Sequence, residues 1–512
     1  MQYILAHDLG TSGNKATLYD LDGTLAGSII SEYPTYYPHS GWVEQDADDW
    51  WHAVCDSTGH LLEKTGIPAS AIACVCFSAQ MMGCLIIDHK NRPLRRMITW
   101  ADTRSSAQEK YMLKEAGMDD VYRITGHRLS ASYSAPKLLW IRDNEPGLFK
   151  KTGKMLQAKE YIILKLTGEI VTDYSDAGGT DLLDINKRDW SDELLSVFDI
   201  PREILPDVYP STHIAGKVTP EAAQACGLLE GTPVVTGGGD GSSATVGAGV
   251  VRPGQAYNVI GSSSWISTST VSPFFDPLMR VFNWIHMDST LYTPCGTMQS
   301  AGFSYSWFRN SLCKEEVDTG ASVNKSAYKL IDELVESTLP GAGGLLFLPY
   351  LLGERTPWWD HNARGAFVGL GISTSKAEMA RAVLEGVGFN LRLILDIFEE
   401  SAPIDDIIMI GAGVKGDIWL QILSNIWQRP LLVPGFLEEA TSMGAAICGG
   451  VGVGIFNDFS VAEKMNKPVR CIEPDKTVTK AYNNLYRVFR EAYMQLKPVY
   501  QSLADFKAES AV

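Results

Sequence analysis

A polar, glycine-containing turn follows the first apolar run of the chain and carries groups suited to phosphate and metal. These groups are Asp8, Gly10, Thr11, Ser12 and Lys15. Small residues let backbone amides approach phosphate oxygens, hydroxyls and a lysine add donors, and a carboxylate suits hydrated Mg²⁺. The turn therefore predicts a site for a nucleotide polyphosphate, although a hairpin turn with solvated polar residues has the same composition.

A second turn of small residues lies in the middle of the chain. Gly261, Ser262 and Ser263 separate two runs with strand character, Gln255–Ile260 and Trp265–Thr268. The order of strand, small polar turn and strand repeats the pattern near the N-terminus. Two such turns from two halves of a protein are able to hold one polyphosphate, so the second turn strengthens the prediction from the first.

Asp240 is the main candidate for proton transfer. It follows Gly237–Gly239 at the end of the apolar run Pro233–Thr236, and a carboxylate at such a strand end stands at the rim of a sheet, where ligands approach. Phosphoryl transfer to an alcohol needs an acceptor for the hydroxyl proton, and an aspartate suits that task. The alternative is a structural role, because Asp is also a favoured helix N-cap residue.

A glycine-rich segment, Gly-Ala-Gly-Val-Lys-Gly at positions 411–416, matches the dinucleotide-binding pattern of dehydrogenases. No acidic residue ends the following strand, Leu431–Pro434, where those enzymes bind ribose. We therefore interpret Gly411, Ala412 and Gly413 as a turn against which an adenosine lies. The chain also lacks a Walker A segment and a protein-kinase catalytic loop, which excludes two common ways of binding ATP.

These candidate residues require a scaffold of two similar halves. The two turns lie about half a chain apart, which predicts an α/β protein of duplicated domains, each a mixed sheet flanked by helices, that face each other across a cleft. The glycine cluster before Asp240 places the boundary near residue 246, giving domains 1–246 and 247–512. In the second half, periodicity predicts helices over 376–399 and 417–427, a buried helix within 441–454, and strands at 407–410 and 431–433.

Composition and charge exclude several classes of protein. The 512 residues are 45% hydrophobic and 20% charged, as in ordinary globular chains. A formal charge of −16 without a basic stripe argues against nucleic acid and anionic membranes as partners. The nine cysteines show no metal-binding spacing and are predicted to be reduced packing residues. No signal peptide or membrane span is recognised, so we expect a cytoplasmic protein, with a homodimer left open.

Two longer segments carry a family resemblance. The chain resembles the FGGY family of carbohydrate kinases over nearly its whole length, because Ser132–Asn144 fits the first family signature and Gly365–Leu370 with Glu378–Glu385 fits the second. Within that family, Leu348–Pro357 and Trp100–Arg104 are similar to blocks of the xylulokinase branch.

The resemblance implies two actin-like ATPase domains of the RNase H-like type and an ATP-dependent kinase that acts on a ketopentose. The implied reaction converts D-xylulose to D-xylulose 5-phosphate with ATP and Mg²⁺. The resemblance further implies that the Asp8 and Gly261 turns bind MgATP, that adenosine lies near Gly411–Gly413, and that Asp240 is the general base. The residues implied to contact the sugar are Gln80, Met81, Met82, Asp102 and Gly241.

Two positions depart from the xylulokinase pattern. Met82 stands where a histidine is usual, and Gly241 stands where an asparagine usually follows the aspartate. Loss of two polar groups removes hydrogen bonds to sugar hydroxyls and redirects specificity. Another polyol, an L-ketose or a sugar acid is therefore an alternative substrate, and a sugar acid requires a cation in the cleft. The alternative outside the kinases is an actin-like protein that uses ATP only as a conformational switch.

Overall fold

The computed structural model describes residues 1–510, whose two largest sheets each have seven strands. The strands of the first sheet are Tyr3–Leu9, Gly13–Asp20, Leu25–Glu32, Ile72–Ala79, Ile214–Lys217, Pro233–Val235 and Gly238–Gly239. The strands of the second sheet are Ala256–Ile260, Ser264–Thr268, Phe282–Ile285, Tyr292–Met298, Ile407–Ile410, Leu431–Pro434 and Pro468–Ile472.

The two sheets repeat one pairing pattern. Tyr3–Leu9 pairs antiparallel with Gly13–Asp20 and parallel with Ile72–Ala79. In the second sheet, Ala256–Ile260 pairs antiparallel with Ser264–Thr268 and parallel with Ile407–Ile410. The strands that extend the sheets on either side of these pairs also keep the same directions. The predicted duplication of mixed sheets is therefore confirmed.

Helices cover the sheets. Those up to residue 247 are Ala47–Thr65, Ser106–Ala116, Met118–Thr125, Ser134–Asn144, Pro146–Phe149, Ala158–Thr167, Tyr174–Gly178, Asp192–Phe198, Pro220–Cys226 and Asp240–Gly247. Those after it are Gly302–Leu312, Lys314–Ser322, Ala327–Glu336, Lys376–Glu399, Asp417–Trp427, Ala440–Gly452, Ala462–Met465 and Thr479–Ser510. Within residues 1–510, none of these helices has both the length and the apolar character needed for a bilayer crossing.

The first strand illustrates why apolar residues fill a central position in a sheet. Leu5 and Leu9 pack into the core that includes the helix Ala47–Thr65, whereas Ile4 and Ala6 pack into a core on the opposite face. Strands that are covered on both faces are apolar on both faces, and this one has no alternation of polar residues. The parallel neighbour Ile72–Ala79 is buried in the same way.

Several local predictions are confirmed, and two differ. The helices 376–399 and 417–427 have the predicted bounds. The first turn is shorter than predicted, because the strand ladder continues until Leu9 pairs with Asn14, and Asp8 and Lys15 face each other within it. The prediction that all cysteines are unpaired is wrong for Cys55 and Cys226, which form a disulfide across 171 residues of sequence.

Two helices with glycine contacts join the halves of the protein. A Cβ added at Gly247 would collide with Ala440 O, and one added at Gly444 would collide with Ser243 O, so the helices Asp240–Gly247 and Ala440–Gly452 touch through their backbones. The second of these helices also packs on the first sheet, where an added Cβ at Gly449 would lie 2.9 Å from Cys76 Cβ. The first sheet is thus covered by a helix from late in the chain, and the division near residue 246 stays a prediction.

Gly444→Ala should destabilise the protein, because its methyl group must force apart two helices that already touch. We expect a loss of ~1–3 kcal/mol in the free energy of unfolding, as for other overpacked sites, observed as a lower midpoint of thermal unfolding. Gly59→Ala is the matched control, since nothing lies within 4 Å of its added Cβ and alanine is the better helix former. Equal midpoints for the two variants would contradict the close contact.

Candidate active site

Asp240 is the first residue of the helix Asp240–Gly247 and follows the glycine turn. Gly239 is the N-cap, so the alternative role of Asp240 as a cap does not apply. Its side chain is exposed toward the cleft, and Oδ1 accepts a hydrogen bond from Gly241 N at 2.7 Å. Enclosure by surrounding protein, followed by the negative charge of Asp8, raises the pKa of the Asp240 carboxyl to about 7.

A cavity of about 450 Å³ opens in front of Asp240, with walls from both halves of the chain. It brings together six predicted residues: Met81, Met82, Asp240, Gly241, Ser262 and Ser263. Aromatic residues, among them Tyr133, Trp284 and Trp359, add apolar wall. A cavity of this size with a few converging polar groups is typical of a small-molecule site.

Arg355 is a cation in the wall of this cavity. Its guanidinium makes no hydrogen bond or ion pair with any residue in the described range 1–510. The neighbouring Glu354 does not pair with it, since the Glu354 carboxylate accepts hydrogen bonds from Gln299 N, Arg355 N and Asn390 Nδ2 at 2.8, 2.8 and 3.0 Å. Arg355 is therefore free to bind a ligand.

Arg355, Asp240 and Cys295 all line this cavity. Burial raises the pKa of the Cys295 thiol to about 12, while the charge of Arg355 acts to lower it and that of Asp240 to raise it. Both charges are therefore close to this one side chain in the cavity wall. The cavity thus has a carboxylate and a guanidinium available to a single small molecule.

Asp8 is held by two hydroxyl groups that are far apart in the sequence. Ser78 Oγ donates to Asp8 Oδ1 at 2.9 Å, and Thr441 Oγ1 donates to Asp8 Oδ2 at 2.6 Å. Burial raises the pKa of the Asp8 carboxyl, whereas these hydroxyls and Lys15 act to lower it. Thr441 is the second residue of the helix Ala440–Gly452, and the sequence contains no signal that connects it to Asp8.

The carboxylate of Asp8, held by two hydroxyl groups, is chemically suited to a magnesium ion that arrives with a nucleotide. The charge of Asp8 also contributes to the raised pKa of Asp240. Mg²⁺ in phosphoryl-transfer sites takes oxygen ligands, usually from one or two carboxylates together with phosphates and water. Within residues 1–510, no cluster of three or more His, Cys, Asp or Glu side chains forms a metal site from protein alone.

The tip of the first hairpin borders the cavity. Trp100, a residue of the cavity wall, donates from Nε1 to Thr11 Oγ1 at 3.3 Å, and Tyr33 donates to Gly10 O. Thr11 and Ser12 are exposed. Lys15 Nζ donates to Glu438 O at 2.9 Å, which links this hairpin to the segment just before the helix Ala440–Gly452.

The second turn and the glycine-rich segment lie side by side. A Cβ added at Gly411 would lie 2.7 Å from Ile260 O, and one added at Gly413 would also collide with Ile260, the residue before Gly261. Gly302 N donates to Gly261 O at 3.0 Å. The glycines at 411 and 413 are explained by this close approach to a neighbouring parallel strand.

Two predicted substrate residues are not in the cavity wall. Asp102 is 1% exposed, and its carboxylate accepts hydrogen bonds from Val43 N and from the backbone and guanidinium of Arg104. Gln80 is 3% exposed, and its amide donates to Gln45 Oε1 at 2.7 Å. Both side chains lie behind the wall, so their contact with substrate stays a prediction.

Comparison with family models covers most of the chain. The N-terminal domain of the FGGY family of carbohydrate kinases matches residues 3–247, and the C-terminal domain of that family matches residues 256–453. The chain belongs to the FGGY family of carbohydrate kinases. It is therefore a sugar kinase, and ATP is its phosphoryl donor.

Full-length relatives of this FGGY kinase differ in the sugar that their names specify. Xylulose kinase of Bacillus subtilis (strain 168) is 30% identical over 509 residues, covering 99% of this chain and 100% of the relative. Gluconokinase of the same organism is 30% identical over 507 residues, covering 99% and 98%. The crystal structure of ligand-bound xylulose kinase from Lactobacillus acidophilus matches with a TM-score of 0.91 at 28% identity, covering 98% and 100%. The predicted pair of actin-like domains is thereby confirmed.

Thr441→Val should impair this FGGY kinase, because valine has a similar shape but cannot donate to Asp8 Oδ2. A hydrogen bond to a charged group contributes ~1.5–3 kcal/mol, so we expect a fall of roughly 10-fold or more in kcat/KM for MgATP. The rate of ADP release in the presence of sugar measures this change. Thr441→Ser keeps the hydroxyl and should remain close to the wild type, and equal rates for the two variants would contradict a role for this hydrogen bond.

Proposed function

We propose that this FGGY kinase transfers the γ-phosphoryl group of ATP to a primary hydroxyl of a ketopentose, with D-xylulose to D-xylulose 5-phosphate as the main reaction. The cavity that contains Asp240 together with Met81, Met82 and Gly241 carries this proposal. It is supported by the xylulose kinases that align with this chain over their whole length. Met81, Met82 and Gly241 are proposed to contact the sugar.

Asp240 is proposed as the general base. Its carboxylate takes the proton of the sugar hydroxyl, the hydroxyl oxygen bonds to the γ-phosphorus, and the bond from that phosphorus to the β,γ-bridging oxygen breaks to release ADP. A base with a pKa near the working pH is ionised and still basic enough to take the proton. The aromatic walls at Tyr133, Trp284 and Trp359 reduce access of water, which limits hydrolysis of ATP.

The nucleotide end of the proposed site uses both turns. Asp8 would hold Mg²⁺ through water, and this ion supplies positive charge at the phosphate oxygens. Lys15 and the backbone amides of Gly10–Ser12 and Gly261–Ser263 would hold the phosphates, and Gly411–Gly413 would support the adenosine. The close approach of Gly411 and Gly413 to Ile260, the residue before the second turn, supports this arrangement. The cytoplasmic location and the homodimer stay predictions from the sequence.

A sugar acid is the second candidate substrate, and Arg355 favours it. An unpaired guanidinium in a cavity is suited to bind a carboxylate through two parallel hydrogen bonds. The gluconokinase relative is as similar to this chain as the xylulose kinase is. Met82 and Gly241 offer no side-chain hydrogen bond to a neutral sugar. The guanidinium of Arg355 is therefore a larger share of the polar groups that are able to bind the substrate.

Asp240→Asn should abolish phosphorylation of every accepted sugar, since the amide cannot take the hydroxyl proton. Loss of a general base lowers kcat by about 10²–10⁴-fold, measured by an ADP-coupled assay over ketoses, polyols and sugar acids. In the wild type, kcat/KM should rise with pH through about 7 as Asp240 becomes ionised. Calorimetric titration with ATP should show retained binding, and an Asp240→Asn enzyme with near-normal kcat would overturn the assignment.

Arg355→Met should separate the two candidate substrates. If a sugar acid is the better substrate, the variant should lose roughly 10- to 100-fold in kcat/KM for D-gluconate, because a charge-assisted contact is lost, and much less for D-xylulose. Arg128→Met is the matched control, since Arg128 lies over the ring of Trp359 but does not line the cavity. No activity of the wild type on gluconate, or an equal loss on both sugars, would exclude the sugar acid.

A further inference from the structure

The turn Gly237–Gly239, which carries Asp240, has no side chains of its own to hold it. A Cβ added at Gly237 would collide with the backbone of Phe77, and this residue has a φ of 70°. Glycine is the residue that adopts this conformation at no steric cost. The position of Asp240 therefore depends on the hydrogen bonds that the backbone of Gly237–Gly239 makes with surrounding residues.

A fully buried polar cluster lies directly behind this turn. Lys159, Asp173 and Asp176 are each 0% exposed. Lys159 forms an ion pair with Asp173, and its Nζ lies 3.0 Å from Asp176 Oδ2. Burial raises the pKa of the Asp176 carboxyl well above its ordinary value, while the charge of Lys159 acts to lower it.

The cluster is hydrogen-bonded to both ends of the glycine turn. Ser175 Oγ donates to Asp173 Oδ2 at 2.7 Å and accepts a hydrogen bond from Gly239 N at 2.9 Å. Lys159 Nζ donates to Gly237 O at 3.3 Å. Gly239 immediately precedes Asp240, so a chain of contacts runs from the buried ion pair through one hydroxyl to the backbone next to the carboxylate.

Such a cluster is a poor way to gain stability. Removing charges from water costs several kcal/mol per ion, and an apolar replacement of a buried ion pair is often as stable or more stable. The carboxylate of Asp173 does, however, accept hydrogen bonds from Lys159, Ser175 and Ser211, which hold this part of the cluster in one arrangement. The hydrogen bond from Gly239 N to Ser175 Oγ indicates that this network holds the glycine turn in place.

We propose that Asp173, Ser175 and Lys159 act as positioning residues that direct the carboxylate of Asp240 toward the sugar hydroxyl. This inference rests on the proposed role of Asp240 as the general base. None of the three lines the cavity, so they act through the backbone of Gly237–Gly239 and contact neither sugar nor nucleotide.

A pair of serine variants tests this role. Ser175→Ala and Ser211→Ala each remove one buried hydroxyl that donates to Asp173 Oδ2 at 2.7 Å. Only Ser175→Ala also leaves Gly239 N without its acceptor, because Ser211 contacts the turn through its backbone oxygen, which accepts from Gly237 N at 2.9 Å. The two variants are therefore matched in burial and chemistry and differ in the contact to the turn.

For Ser175→Ala we expect kcat to fall about 10-fold or more, as for a misplaced reacting group, with KM for ATP unchanged. The acid limb of the kcat/KM profile should move to lower pH, because a loosened Asp240 gains water and separates from Asp8. Ser211→Ala should keep the wild-type kcat and pH profile. Gly238→Ala is a second variant, since its added Cβ would lie 3.0 Å from Ser175 Oγ, and it should reproduce the effect of Ser175→Ala.

The outcomes distinguish this inference from the proposed function. If Asp240→Asn retains activity, the proposed base is wrong whatever the serine variants show. If Asp240→Asn is inactive while Ser175→Ala and Gly238→Ala keep the wild-type kcat and pH profile, the positioning role is overturned. An equal fall in kcat for Ser175→Ala and Ser211→Ala also overturns it, because general damage to the cluster would then explain the loss.

Discussion

The backbone contact between two helices is the constraint on which the site depends. Gly247 and Gly444 let the helices Asp240–Gly247 and Ala440–Gly452 touch without intervening side chains. Asp240 is the first residue of one helix, and Thr441 is the second residue of the other. Because each helix begins at the cleft, the contact that joins the halves of the kinase also fixes the positions of Asp240 and Thr441 relative to each other. The same helix packing holds Thr441 within hydrogen-bond distance of Asp8.

The cleft gives its two carboxylates different environments. Asp8 accepts hydrogen bonds from Ser78 and Thr441 and is attracted by Lys15, so its charge is supported from several sides. The carboxylate of Asp240 accepts a hydrogen bond from Gly241 N and is open to the cavity. The charge of Asp8 acts to raise its pKa. A carboxylate held by donors suits the binding of cations, whereas one that is open to the cavity suits proton transfer.

The two ends of the cleft are built by different means. The proposed nucleotide end consists of turns from both halves, in which small residues leave backbone amides accessible to phosphate. The proposed sugar end is a cavity with aromatic and methionine walls, to which Arg355 and Asp240 add a guanidinium and a carboxyl group. A site rejects the wrong sugar when that sugar leaves polar groups of the protein unpaired. Because this wall has few polar groups, each of them contributes strongly to the discrimination among sugars.

Local patterns in the sequence determined much of the fold and part of the site. Apolar periodicity predicts the helices 376–399 and 417–427, because the side chains on one face of a helix recur at a fixed interval. The small residues of the two turns predict two halves of similar structure, and two signature segments predict the family. Each of these features lies within a continuous stretch of chain, where spacing reports structure directly.

Only the tertiary structure decided contacts between residues that are far apart in the chain. Thr441 meets Asp8, Ser175 meets Gly239, and Cys55 meets Cys226 across gaps that no local pattern encodes. Asp102, which the family resemblance predicts to touch the sugar, binds Arg104 behind the cavity wall, and its contact with substrate stays a prediction. The physical reason is that periodicity reveals which face of an element is buried, whereas the packing of whole elements determines which side chains that face meets.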